Sequence, residues 1–142
     1  MENIVSIISR FYNEEKCILY LERLRWPHKV ISPFDRASVV YNCLGHKYKC
    51  RNTNKYFSVK TGTIFEHTRV PLYKWFLAIH LYAISKKKIS SVSLANELSV
   101  PQRTAYLLIK KIKNTLKIAT GRELTDIDKI LSEMVKPGAI RE

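Results

Sequence analysis

The sequence predicts an α+β fold, mainly α-helical, with one small three-stranded antiparallel sheet. Three observations predict it. Apolar residues recur at helical spacing at 14–26 and again from 71 onward. Between these, 28–65 breaks into short β-prone runs separated by Gly- and Asn-containing turns. Two short helical patterns then meet at Ser99-Val100-Pro101, as in a helix-turn-helix. The chain divides on this reading into an N-terminal helical segment (1–27), a small β domain (28–66), a helix-turn-helix domain (67–120) and a C-terminal helix with tail (121–142).

The apolar run Ile4 to Ile8 is too short to span a membrane and reads as the start of a packed helix. The next helix starts at Asn13, a residue suited to capping, with Glu14 and Glu15 in the positive first turn. Cys17, Leu21 and Leu24 share its apolar face, with Ile18 and Tyr20 beside it. Trp26-Pro27 ends it, because a residue before proline avoids α geometry. The strands are Val39-Val40-Tyr41, Lys47 to Cys50 and Tyr56 to Val59, with turns at Leu44-Gly45-His46 and Asn52-Thr53-Asn54. Thr61-Gly62-Thr63 closes the last strand. So thin a sheet needs support from elsewhere.

Pro71 to Ser85 is apolar nearly all round, which predicts a central helix with the sheet on one flank and the helix-turn-helix on the other. His80, Trp75 and Phe76 within it read as core. A last helix is expected over Thr125 to Val135, capped by Thr125, with Asp126 and Asp128 in its first turn and Pro137-Gly138 closing it.

Charge narrows the function. The chain has 25 Lys and Arg against 12 Asp and Glu, a net charge of +13. The excess is local: residues 44–122 hold 16 basic residues and two acids, Glu66 and Glu97. A field of that sign and density attracts a polyanion. No transmembrane-length run or export-signal pattern is present, and three cysteines suit a reducing compartment. No Ser/His/Asp or Cys/His constellation and no Gly-rich phosphate loop occurs.

The helix-turn-helix concentrates that charge. Ser90 and Ser91 can cap its first helix, with Val92, Leu94, Ala95 and Leu98 on or near one face. In the second helix Ala105, Leu108, Ile109, Ile112 and Leu116 form the apolar face. The opposite face carries Gln102, Arg103, Tyr106, Lys110 and Lys113, which have the donors that base edges and phosphates accept from. Lys86, Lys87 and Lys88 precede the first helix, within reach of a flanking DNA backbone. These eight residues are the expected DNA-binding set.

The order of parts also resembles a known family. The stretch Phe57 to Glu66, F-S-V-x-T-G-T-I-F-E, is followed by K-W-F at Lys74 to Phe76, S-K-K-K-I-S from Ser85, and L-A-x-E-L-S-V from Leu94. Over residues 14–118 this is similar to the N-terminal region of certain insertion-sequence transposases and of the eukaryotic Merlin elements. The resemblance implies a zinc ribbon and a helix-turn-helix ahead of a DDE-type, RNase-H-like nuclease domain.

Two departures follow. The family's ribbon holds zinc in two Cys-x-x-Cys knuckles, whereas the corresponding positions here read Ser32-Pro33-Phe34-Asp35 and Cys50-Arg51-Asn52-Thr53. One ligand of four survives, so no metal or other cofactor is expected. Cys43, His46 and Cys50 are a substitute set, weakened because the first two flank the hairpin turn, away from the knuckle end. The ribbon is expected to persist by packing against the Pro71–Ser85 helix.

The second departure is the nuclease domain, which the 142 residues are expected to lack. Glu123, Asp126, Asp128, Glu133 and Glu142 fall in or near one helix and tail, and cannot build a carboxylate triad that holds two metals. The expectation is a non-enzymatic, sequence-specific binder of double-stranded DNA, acting in the cytoplasm, nucleoid or nucleus, alone or as an oligomer. The alternatives are a repurposed structural or protein-interaction part of a larger, phage-related assembly, and a subunit whose nuclease lies on another chain.

Overall fold

The computed structural model describes residues 4–11, 13–85, 88–119 and 127–135. Along them run α1 (Ile4–Arg10), α2 (Glu14–Arg25), β1 (Val40–Asn42), β2 (Tyr48–Cys50), β3 (Tyr56–Phe57), α3 (Leu72–Ile84), α4 (Ser91–Leu98), α5 (Gln102–Ala119) and α6 (Ile127–Met134). The fold is α+β, and the sheet is antiparallel in the order β1-β2-β3. Lys86, Lys87, Thr120, Gly121, Thr125, Asp126, Pro137 and Gly138 lie outside the described residues.

Local chemistry explains the element ends. Asn13 caps α2, its Oδ1 accepting from the Lys16 N–H at 2.8 Å. Both hairpin turns need left-handed backbone, which Gly45, His46 and Asn54 supply. Pro71 precedes α3 and offers no capping side chain. Glu14 of α2 does the capping instead, its carboxylate accepting from the Leu72 N–H at 2.7 Å.

α3 is the central element. Leu72, Trp75, Phe76, Ala78, Ile79, His80, Leu81, Tyr82 and Ala83 are all buried, and it packs against α1, α2, α4, α5 and α6. His80 is therefore a core residue, as its apolar setting suggested. Ile130, Leu131 and Met134 of the last helix, with Val135 after it, join the same core as Ile7 of the first helix and Phe11 just beyond it.

Two expectations are corrected. The sheet rests on the end of α2, not on a flank of α3. The Trp26 ring lies 5.5 Å from Tyr48 and 6.0 Å from Phe57, edge to face, and the Tyr48 hydroxyl donates to Glu22 at 2.8 Å. The segment after the sheet reaches α3, through Phe65 against Trp75 at 5.3 Å.

The last strand is also shorter than expected. It ends at Phe57, and residues 58–67 form a series of turns. Hydroxyls compete with strand pairing here. Thr61 Oγ1 accepts from the Ser58 N–H, Ser58 Oγ from the Lys60 N–H, and Thr63 Oγ1 from the Phe65 N–H. Gly62 takes φ +78°, and Arg25 clamps the loop by donating to the Val59 and Thr61 carbonyls at 2.7 and 2.5 Å. The motif F-S-V-x-T-G-T-I-F-E is thus a turn scaffold that buries Val59, Thr63, Ile64 and Phe65.

Candidate nucleic-acid interface

α4 and α5 are joined by Ser99, Val100 and Pro101. The Ser90 hydroxyl caps α4 by accepting from the Ser93 N–H at 3.1 Å. At the other end Ser99 turns left-handed, with φ 55° and ψ 50°, and its N–H and that of Val100 both bond to the Ala95 carbonyl. Pro101 then accepts the first backbone bond of α5, from Ala105 at 3.1 Å. Leu94, Ala95 and Leu98 of α4 and Ala105, Leu108, Ile112 and Leu116 of α5 are buried, which fixes the angle between the two helices.

With those residues inward, the opposite face of α5 meets solvent. Successive helical residues turn by roughly 100°, so Gln102, Lys113, Tyr106, Lys110 and Arg103 share an arc of about 100°, and all five are exposed. α5 contains no acid. Gln102 also bridges the two helices, its Nε2 donating to Ser91 Oγ at 3.4 Å. Lys88 is exposed just before α4, whereas Lys86 and Lys87 lie outside the described residues.

Sequence spacing missed part of this surface. Lys111 and Leu107 are exposed on α5 beside the arc, and Val92 of α4 is exposed rather than on the apolar face. Val92 could not be assigned from periodicity because α4 is only eight residues long.

Ser32, Cys50 and Thr53, three of the four positions that the resemblance gives to zinc ligands, lie together. Ser32 Oγ accepts from the backbone N–H of Phe34 and of Asp35. Around that buried thiol stand the hydroxyls of Ser32, Ser38 and Thr53. Burial alone would push the Cys50 thiol up; the polar groups of Ser32, Ser38 and Thr53 around it outweigh that and bring its pKa down to about 6.

Ser38, not Asp35, completes the cluster. The Asp35 carboxylate faces the outer turn, where it accepts from Asn52 at 2.8 Å and from the Ala37 N–H at 3.0 Å. One thiol surrounded by neutral hydroxyls is a donor set that does not fit zinc. Cys43 and His46 do not join it. They sit at the hairpin turn, where His46 faces Glu15 and Glu22 at 3.6 and 3.9 Å. No group of three His, Cys, Asp or Glu side chains suited to a metal ion occurs among the described residues.

The chain is 31% identical, over 113 residues and 77% of its length, to an uncharacterized protein in the transposable element ISH50 of Halobacterium salinarum. It spans 38% of that relative's length. No protein-family model matches the chain, and no solved structure matches it. The chain is therefore a distant relative of an insertion-sequence-element protein. No helix among the described residues is long and apolar enough to cross a membrane.

Proposed function

We propose that this chain is a sequence-specific binder of double-stranded DNA, related to the end-recognition part of an insertion-sequence transposase and acting without catalysis of its own. The observation that carries the reading is the exposed, acid-free arc of α5. In this reading α4 and α5 act as a helix-turn-helix and α5 enters the major groove. Gln102, Arg103 and Tyr106 are nearest the base edges, and Lys110, Lys113 and Lys88 meet phosphates. Lys86 and Lys87 belong to the same backbone-contacting group by sequence position. Leu107 and Val92 add apolar surface of the kind that packs on thymine methyl groups. The relative's place in a transposable element supports such a role.

Selection from a pool of random duplexes, followed by sequencing, tests this. The expected outcome is one enriched motif whose enrichment disappears with Arg103→Ala. Recovery of no motif by the intact protein would overturn it and favour a part in a protein assembly.

A further inference from the structure

The ribbon has a second surface that α5 does not share. The strand register places Tyr41 opposite Lys49 and Lys49 opposite Tyr56, so these three side chains form one row across all three strands. Their neighbours along the strands, Tyr48 and Phe57, point the other way and pack with Trp26. The row is open: Tyr41 is 47% and Tyr56 58% exposed. Lys47 and Lys49 bring their ammonium groups to 5.7 and 5.4 Å from the Tyr56 ring centre. From 36 to 65 the chain has six Lys and Arg and no acid. Carboxylates touch the ribbon elsewhere: Glu22 bonds Tyr48 on the inner face, Glu15 and Glu22 face His46 at the hairpin turn, and Asp35 bonds Asn52.

We propose that this outer sheet face, with Tyr41, Lys49, Tyr56 and Lys47, binds single-stranded nucleic acid. Two exposed phenol rings on a flat sheet offer stacking surfaces to unpaired bases, and the ammonium groups beside them meet the phosphates between those bases. A duplex hides its base faces within the stack and cannot use the rings. The site is independent of the α5 reading, since it uses another element and another feature of the ligand.

The test is fluorescence anisotropy of a labelled twelve-residue oligothymidylate with the full chain. Variants are Tyr56→Ala, Tyr41→Ala, Tyr56→Phe and Arg103→Ala, each checked for an unchanged melting temperature. Loss of a base-stacking ring typically weakens binding by roughly 5- to 150-fold. Tyr56→Ala and Tyr41→Ala should each do so, Tyr56→Phe should keep most of the affinity, and Arg103→Ala should weaken it less than either alanine variant of the row. The proposal is overturned if the intact chain does not bind the oligomer or if both alanine variants bind as well as it does. It is equally overturned if base-free polyphosphate competes as strongly as oligothymidylate, which would reduce the face to charge alone. Tyr41→Ala keeps the test decisive should Tyr56→Ala fail to fold.

Discussion

Arg10 Nη2 lies 2.8 Å from Asp128 Oδ1, joining the first helix to the last across 118 residues of sequence. The Tyr20 hydroxyl donates to the same carboxylate oxygen, and the guanidinium lies over the Phe11 and Tyr20 rings at 4.7 and 5.4 Å. The pair is partly exposed, so its ionic part is modest. Arg10→Ala also loses the ring contacts and should lower stability by about 1–2 kcal/mol in urea unfolding. For Asp128, burial works to raise the pKa, but hydrogen bonds from Arg10 and Tyr20 hold it below its ordinary 3.8. Its contribution is complete above pH 3.8 and is lost as pH falls through the lowered value. Asp128→Asn should therefore destabilise the protein at neutral pH, by an amount that shrinks in acid.

Glu14 caps a helix to which it does not belong. Its carboxylate takes the Leu72 N–H, which α3 cannot satisfy itself, and it also lies 3.7 Å from Lys60. Glu14→Ala should cost about 1 kcal/mol. Glu14→Gln should recover part of this, because an amide oxygen still accepts the bond. Thermal melting of both variants checks the order.

The Cys50 cluster predicts a pH dependence that spans neutral pH. The folded pKa of about 6 lies below the ordinary 9.0, so folding favours the thiolate. Stability from this group is absent below about pH 6, grows between 6 and 9, and is complete above 9. The melting temperature should rise over that range, and Cys50→Ala should flatten the rise. Since the donor set does not suit zinc, EDTA should leave melting unchanged. Elemental analysis finding one zinc per chain, lost with Cys50→Ala, would contradict this.

Ser99 adopts a left-handed backbone conformation that costs a non-glycine residue roughly 1–2 kcal/mol. Ser99→Gly removes that cost but adds freedom to the unfolded chain. The net effect should be stabilisation of up to about 1 kcal/mol, seen as a higher urea midpoint with the same slope.

At the proposed DNA surface, position along α5 separates two behaviours. Lys110→Ala or Lys113→Ala should weaken binding to all duplexes alike and reduce the salt slope by about one unit. Arg103→Ala should cost about 1–3 kcal/mol at the preferred site and blur its sequence preference. Affinity measured against salt concentration for each variant separates the two. If neither Arg103→Ala nor Lys110→Ala changes affinity or slope, α5 is not the reading element.

Much of the fold was legible because its causes are local. The uniform apolarity of Pro71–Ser85 gave away a helix with neighbours on every side, and Asn13, Gly45 and Asn54 marked their own cap and turns. The basic arc of α5 followed from spacing alone, since eighteen residues allow its two faces to be separated.

What escaped depended on partners distant in sequence. Trp26 reads as a helix terminator, and nothing near it announces Tyr48 and Phe57 as the rings it meets. Glu14 reads as a first-turn charge on its own helix, while its partner is 58 residues away. Ser38 was invisible because a two-knuckle template points to Asp35, whose carboxylate the Asn52 amide and the Ala37 N–H draw outward.

The hydroxyl-ringed thiol at the ribbon's knuckles has a bearing on how the ribbon accumulates mutations. Four side chains sharing one ion stand or fall together, because a vacancy in the coordination sphere forfeits nearly all of the binding energy. Polar neighbours around a sulfur are lost one at a time, each at a small cost. Ser32, Ser38 and Thr53 can therefore drift singly, with small penalties, where the four ligands of a zinc site could not. A lineage of such ribbons should show variable knuckles around an unvarying attachment at Trp26, Arg25 and the turn scaffold that follows β3.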